Sequence, residues 1–108
     1  MVVKMDEQGF VKIRDGVRKQ SLSYGDKTHL VMFFLEKSKS IPEHTHAEHE
    51  QTGYLIKGKM IMTIDDTPYE LEGGASWSIK SGVPHGVQML EDCTVIEVFS
   101  PVRKDYLD

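Results

Sequence analysis

The punctuation of this chain constrains its fold more than any other feature. Short runs rich in Val, Ile, Phe, Tyr, Thr and Met alternate with turn residues so often that no window sustains an apolar i, i+3, i+4, i+7 pattern over three helical turns. Eight runs read as strands: Val17 to Tyr24, Thr28 to Glu36, Gln51 to Ile56, Lys59 to Ile64, Tyr69 to Leu71, Ala75 to Ile79, Pro84 to Leu90 and Cys93 to Phe99. Gly25-Asp26, Ser38 to Pro42, Lys57-Gly58, Asp65-Asp66, Gly73-Gly74, Ser81-Gly82 and Glu91-Asp92 fall between them, each of a type that makes a tight turn or tolerates a positive φ. This spacing predicts an all-β sandwich or barrel. Only Arg103 to Asp108 has room for a helical turn.

With 108 residues there is material for one core and not for two. The expected organisation is a single domain with a barrel core over about 17–100, an N-terminal arm over 1–16 and a C-terminal tail over 101–108. Thirteen Lys plus Arg against seventeen Asp plus Glu give a net charge of −4, so no basic field exists to hold nucleic acid or an anionic membrane. Cys93 is the one cysteine, which excludes an internal disulfide or a multi-cysteine zinc site and fits a reducing compartment. The N-terminal residues carry no apolar core of signal-peptide length, and no run of about 18 apolar residues occurs. A soluble, cytoplasmic protein is expected.

Five histidines are present, and three crowd between positions 44 and 49. On a strand, the spacing of His44 and His46 puts both imidazoles on one face, with Thr45 opposite. Gln51 opens the next strand, and His85 heads a distant one after Gly82-Val83-Pro84. Three strands thus aim three imidazole nitrogens and one amide oxygen at a point inside a barrel. Such a donor set suits a divalent first-row metal, with positions left for water or substrate.

These residues resemble the cupins, small β-barrels (jelly rolls, or double-stranded β-helices) defined by two motifs. The first, G-x5-H-x-H-x3,4-E-x6-G, reads here as Ser38, five residues, His44-Thr45-His46, four residues, Gln51, six residues, Gly58. The second, G-x5-P-x-G-x2-H-x3-N, reads as Gly74, five residues, Lys80-Ser81-Gly82-Val83-Pro84-His85, three residues, Met89. The departures are Ser38 for Gly, Gln51 for Glu, Lys80 for Pro and Met89 for Asn. Only Gln51 touches the inferred coordination shell. Its neutral amide leaves a bound ion more positive charge to share with substrate oxygens.

The segment His46 to Gly58, the Val83-Pro84-His85-Gly86 corner and the tail Glu97-Val98-Phe99-Ser100-Pro101-Val102-Arg103-Lys104-Asp105-Tyr106-Leu107 are similar to the small pectin-degradation cupins, whose tail commonly reads D-V-F-S-P-P-R-x-D-F/Y. The resemblance implies ring opening of 4,5-unsaturated monouronates to linear keto sugar acids, with one divalent ion (Ni, Zn, Mn, Fe or Co). It places metal ligands at His44, His46, Gln51 and His85, the catalytic acid at Glu97, an aromatic substrate contact at Phe99 and the cationic position at Arg103. Glu97 is one methylene longer than the usual Asp, and Val102 replaces a Pro.

The residues themselves agree with these roles. Strand alternation sets Val95, Glu97 and Phe99 on one face and Thr94, Ile96 and Val98 on the other. A carboxylate between apolar neighbours is costly unless paired or used, which makes Glu97 a candidate general acid or base. Arg103 offers a planar fork for a uronate carboxylate. Trp77 and Tyr54 read as packing residues and His29 as an ordinary strand residue, while Pro42 and the flanking strands argue against the helical spacing that His49 would need to act as a ligand. Two other functions fit the same motifs: an Fe(II) dioxygenase or sugar isomerase, and a non-catalytic sugar-binding protein. A homodimer is expected, with Val2 to Ile13 available to extend a neighbour's sheet.

Overall fold

The computed structural model describes residues 1–107. Ten strands run in chain order: β1 (Val11–Arg14), β2 (Val17–Tyr24), β3 (His29–Leu35), β4 (Ser40–His44), β5 (Glu50–Lys57), β6 (Lys59–Ile64), β7 (Thr67–Glu72), β8 (Ser76–Ile79), β9 (His85–Met89) and β10 (Cys93–Ser100). A 3-10 turn, Lys104–Tyr106, follows, and no described helix is long and apolar enough to cross a membrane. All eight expected strands form, each end within two residues of its expected place. The 3-10 turn falls within Arg103 to Asp108, the stretch with room for one, of which Asp108 lies outside the described residues.

No strand pattern marks β1 or the start of β4, and His46, expected on one strand with His44, lies beyond the end of β4 at His44. All four residues of β1 are exposed, so no alternation marks it. It pairs with β2 of its own chain through Val11, Lys12 and Arg14 and forms the edge of the larger sheet. In β4, Pro42 reads as a turn residue, yet β4 is an edge strand, where a missing N–H is tolerated.

The strands form two antiparallel sheets, ordered β1-β2-β3-β10-β5-β8 and β4-β9-β6-β7. Strict alternation along β3 sends Val31, Phe33 and Leu35 inward, and Val95 and Phe99 of β10 do the same. Met60, Met62 and Met89 of the smaller sheet complete the core. This is the all-β jelly roll that the sequence predicts.

Two motif positions have a backbone reason for their residue type. Gly58 has φ +111°, and a Cβ there would stand 2.4 Å from the Asp92 carbonyl oxygen. Ser38 stands where the motif has glycine and nevertheless has φ 69°, a left-handed conformation that costs an L-residue about 1 kcal/mol or more.

Candidate metal centre

A cavity of about 320 Å³ lies between the sheets. Its wall includes His44, His46, Gln51, His85, Glu97, Phe99 and Arg103, which are all seven residues singled out by the sequence. Arg14, Tyr106 and Ile13 also line it and were not anticipated.

His44 closes β4 and His85 opens β9, and the two are directly opposed across the strand pair. Their ring centroids are 4.2 Å apart. His46 lies just beyond β4, where its carbonyl accepts the N–H of Gly82 at 2.8 Å and ties the first motif to the second. One nitrogen from each of the three rings falls within 4.8 Å of the others.

Local carbonyls set the tautomers. Nδ1 of His44 meets the Pro42 carbonyl at 2.8 Å, and Nδ1 of His85 meets the Val83 carbonyl at 2.9 Å. A carbonyl accepts, so each proton sits on Nδ1 and each Nε2 keeps its lone pair for a ligand. Nε2 of His85 is buried with no hydrogen-bond partner among the described residues. Oε1 of Gln51 shares that condition. The Gln51 amide can face Glu97 only through its nitrogen, because the carboxylate accepts: Nε2 donates to Glu97 Oε2 at 2.7 Å, which leaves Oε1 as the orphan. Two buried lone pairs without donors, beside two more imidazoles, fit a cation and suit no apolar ligand.

The electrostatics favour the neutral form of His46 and His85. Burial, then the charge of Arg103, then His44, His85 and His49 lower the pKa of His46 to about 4. Burial also lowers that of His85, against the Val83 hydrogen bond. A neutral imidazole is the form that binds a metal. His49 is outside the cluster, near the Val102 carbonyl at 3.4 Å, in line with its exclusion as a ligand.

Glu97 shares a face with Val95 and Phe99, as the alternation predicts, and the structure turns that face inward. Its Oε2 accepts from Gln51 and from Trp77 Nε1 at 3.1 Å, and Oε1 takes no hydrogen bond among the described residues. Burial pushes its carboxyl pKa up, while Trp77, Gln51 and the Arg103 charge pull the other way. Trp77 reaches Glu97 across a gap. Glu97, Gly53 and Trp77 stand side by side on β10, β5 and β8, and a Cβ on Gly53 would lie 2.3 Å from the indole. Glycine at position 53 therefore lets the ring lie over β5. Trp77 is buried as expected, but with this added bond, whereas Tyr54, also read as a packing residue, is 46% exposed on the outer face.

Arg103 differs from expectation in one respect: an edge of its fork is already occupied. Nε and Nη2 donate to the two oxygens of Asp105, at 3.2 and 2.6 Å. The guanidinium lies 3.6 Å from the Tyr106 ring centroid and 4.9 Å from that of Phe99. Phe99 lines the cavity but is only 1% exposed, so it forms a floor beneath the arginine rather than an open platform. His29, read as an ordinary strand residue, is wholly buried and contacts the backbone of Arg103.

Comparison with known proteins agrees with this architecture. The family model for the cupin domain matches residues 31–99. The chain is 28% identical over 103 residues to the pectin degradation protein KdgF of Dickeya dadantii (strain 3937), covering 94% of each. Its fold is similar to the structure of KdgF from Halomonas sp., with a TM-score of 0.93 at 23% identity over 99% of this chain and 98% of that one. It is also similar to an RmlC-like cupin from Shewanella frigidimarina, with a TM-score of 0.89 at 25% identity over 97% and 95%. With the family model covering most of the strands and the sequence and fold likenesses spanning nearly the whole chain, this protein belongs to the cupin family and resembles its pectin-degradation members.

Proposed function

We propose that the protein is a metal-dependent enzyme that converts 4,5-unsaturated monouronates to linear keto acids. The observation that carries this reading is Glu97, a carboxylate in a small cavity, fixed through one oxygen and set beside three imidazoles and a buried arginine. The likeness to a pectin degradation protein points to a uronate as the substrate class. The cavity is sized for a small ligand.

The substrate is a cyclic enol ether in which C5 bears the ring oxygen and is doubly bonded to C4. Opening breaks the bond between C1 and the ring oxygen. The C1 hydroxyl gives up its proton and becomes an aldehyde, and the ring oxygen becomes an enol. Moving the enol proton to C4 leaves a ketone at C5, and no oxidant is needed. Glu97 Oε1 carries this proton, as base toward the hydroxyl and as acid toward C4, and a raised pKa suits both tasks. Gln51 and Trp77 stop the carboxyl from rotating away. The N–H groups of Arg103 not used by Asp105 anchor the substrate carboxylate, and Phe99 supports the arginine from below. His44 and His85 through Nε2, His46 through a ring nitrogen and Gln51 through Oε1 hold a divalent ion (Ni, Zn, Mn, Fe or Co), which when bound polarises substrate oxygens.

To test this, protein loaded with each ion in turn is mixed with 4,5-unsaturated galacturonate or mannuronate, and the absorbance of the double bond is followed. Loss faster than in buffer, stopped by a chelator, is expected. Glu97→Gln should lower kcat about a hundred- to ten-thousandfold with metal content unchanged. A rate equal to buffer, or a fully active Glu97→Gln, rejects the reading. Iron with oxygen uptake would select a dioxygenase, and saturable binding without turnover a binding protein.

A further inference from the structure

Lys19 and His29 are buried polar side chains that the proposed chemistry does not use, at 4% and 0% exposure. Lysine and histidine are seldom buried so deeply unless their polar atoms are engaged. Here both engage the main chain of the C-terminal tail. Lys19 Nζ donates to the Tyr106 carbonyl at 2.6 Å and lies 5.3 Å from the centroid of that residue's ring. His29 Nδ1 accepts the backbone N–H of Arg103 at 3.2 Å. With Nδ1 accepting, the ring proton is on Nε2, which donates to Ser21 Oγ at 2.5 Å. One imidazole thereby links β2, β3 and the tail. The tail held in this way brings Arg103 and Tyr106 to the cavity, and the Tyr106 ring packs against Phe33 and Phe99 at centroid distances of 6.0 and 5.8 Å.

We propose that His29, assisted by Lys19, is a positioning residue for recognition of the substrate carboxylate. It docks the backbone of residues 103–106, so that the Arg103 guanidinium enters the cavity in one orientation. This rests on the reading of Arg103 as the carboxylate anchor. It follows that selection of an acidic sugar is set partly outside the cavity, by polar groups buried on β2 and β3.

The test uses His29→Leu, His29→Asn and Lys19→Met in the full chain, loaded with metal. Leucine removes the acceptor, whereas asparagine returns an amide oxygen near the position of Nδ1. Hydrogen exchange at the Arg103 amide, read by NMR, is expected to be slow in the wild type and in His29→Asn and about tenfold faster in His29→Leu, the worth of one hydrogen bond. On unsaturated galacturonate, His29→Leu should raise KM about tenfold with kcat within about twofold, as befits lost uniform binding. Adding His29→Leu to Arg103→Ala should cost nothing further, because the histidine acts through the arginine. Unchanged exchange at Arg103 in folded His29→Leu, or additive losses in the double variant, overturns the proposal. If His29→Leu does not fold, the decision passes to a raised KM in Lys19→Met with a near-normal KM in His29→Asn, and the opposite pattern rejects it. If the wild type turns over no uronate, the catalytic reading fails on its own, and exchange at Arg103 alone decides whether His29 docks the tail.

Discussion

The two walls of the cavity are held in place by different means. On the imidazole wall the fixing contacts are local: His44 and His85 each bond a carbonyl two residues earlier, and the two histidines face each other across one strand pair. On the acid and arginine wall they are remote except for the Arg103–Asp105 pair, two residues apart. Glu97 is held from 46 and 20 residues away, Arg103 from 74, and the Tyr106 carbonyl from 87. Both walls are written as motifs, but only the first carries most of its fixing partners beside it in the sequence.

The sharpest way to break this contrast is to attack the local wall. His85→Ala removes a buried ligand atom that nothing else replaces, so affinity for zinc or nickel should fall more than about a hundredfold by calorimetry, beyond the usual loss from an outer partner. Glu97→Gln should leave the same isotherm intact. Equal loss of metal in both would show that the two walls act as one unit.

The remote wall is broken most simply at a residue that touches no substrate. Gly53→Ala pushes the Trp77 indole off β5 and away from Glu97 Oε2. We expect overpacking to destabilise the fold by about 1–3 kcal/mol, read from chemical denaturation. At temperatures where the variant is folded, kcat should fall about tenfold as the carboxyl loses its orientation, with metal affinity unchanged.

A pH titration sharpens the comparison further. His46 has a pKa of about 4 in the fold and about 6.5 when unfolded, so between these values the unfolded chain binds the extra proton. Its contribution to stability is therefore fully present above about pH 6.5 and lost as pH falls toward about 4. The His85 shift acts in the same direction and the raised Glu97 in the opposite one. Melting temperatures of metal-free wild type and His46→Asn, measured across this range, should therefore converge toward acid. Parallel curves would contradict the burial-driven shift.

The smallest effect lies outside both walls. Ser38→Gly places glycine where φ is 69°, and relief of the left-handed strain against added unfolded-state entropy should stabilise the protein by up to about 1 kcal/mol. Denaturant midpoints measure it.

These differences explain what was legible beforehand. The eight strands with clear alternation or tight turns were readable because period-2 burial and turn chemistry are local properties. The fully exposed β1 and the proline-containing edge strand β4 lack either signal. The three-histidine cluster was readable because one short spacing and one distant corner bring it together. The face that Glu97 shares with Val95 and Phe99 followed from alternation, but which way it points and its bond to Trp77 depend on the sheet register and a missing Cβ. His29 reads as an ordinary strand residue and nothing marks Lys19, because their partners are main-chain atoms of a tail, which carry no sequence identity. Asp105 offered a usable signal: a carboxylate two residues after Arg103 was visible as a competitor for its fork.

The bond between Trp77 and Glu97 also has an optical consequence. The chain has one tryptophan, and its indole N–H is tied to the carboxyl proposed to move the proton. Its fluorescence therefore comes from a single site, with no background from other indoles. Protonation of that carboxyl, or a ligand drawing it aside, changes the field on the chromophore, so the protein carries its own label-free probe of active-site occupancy.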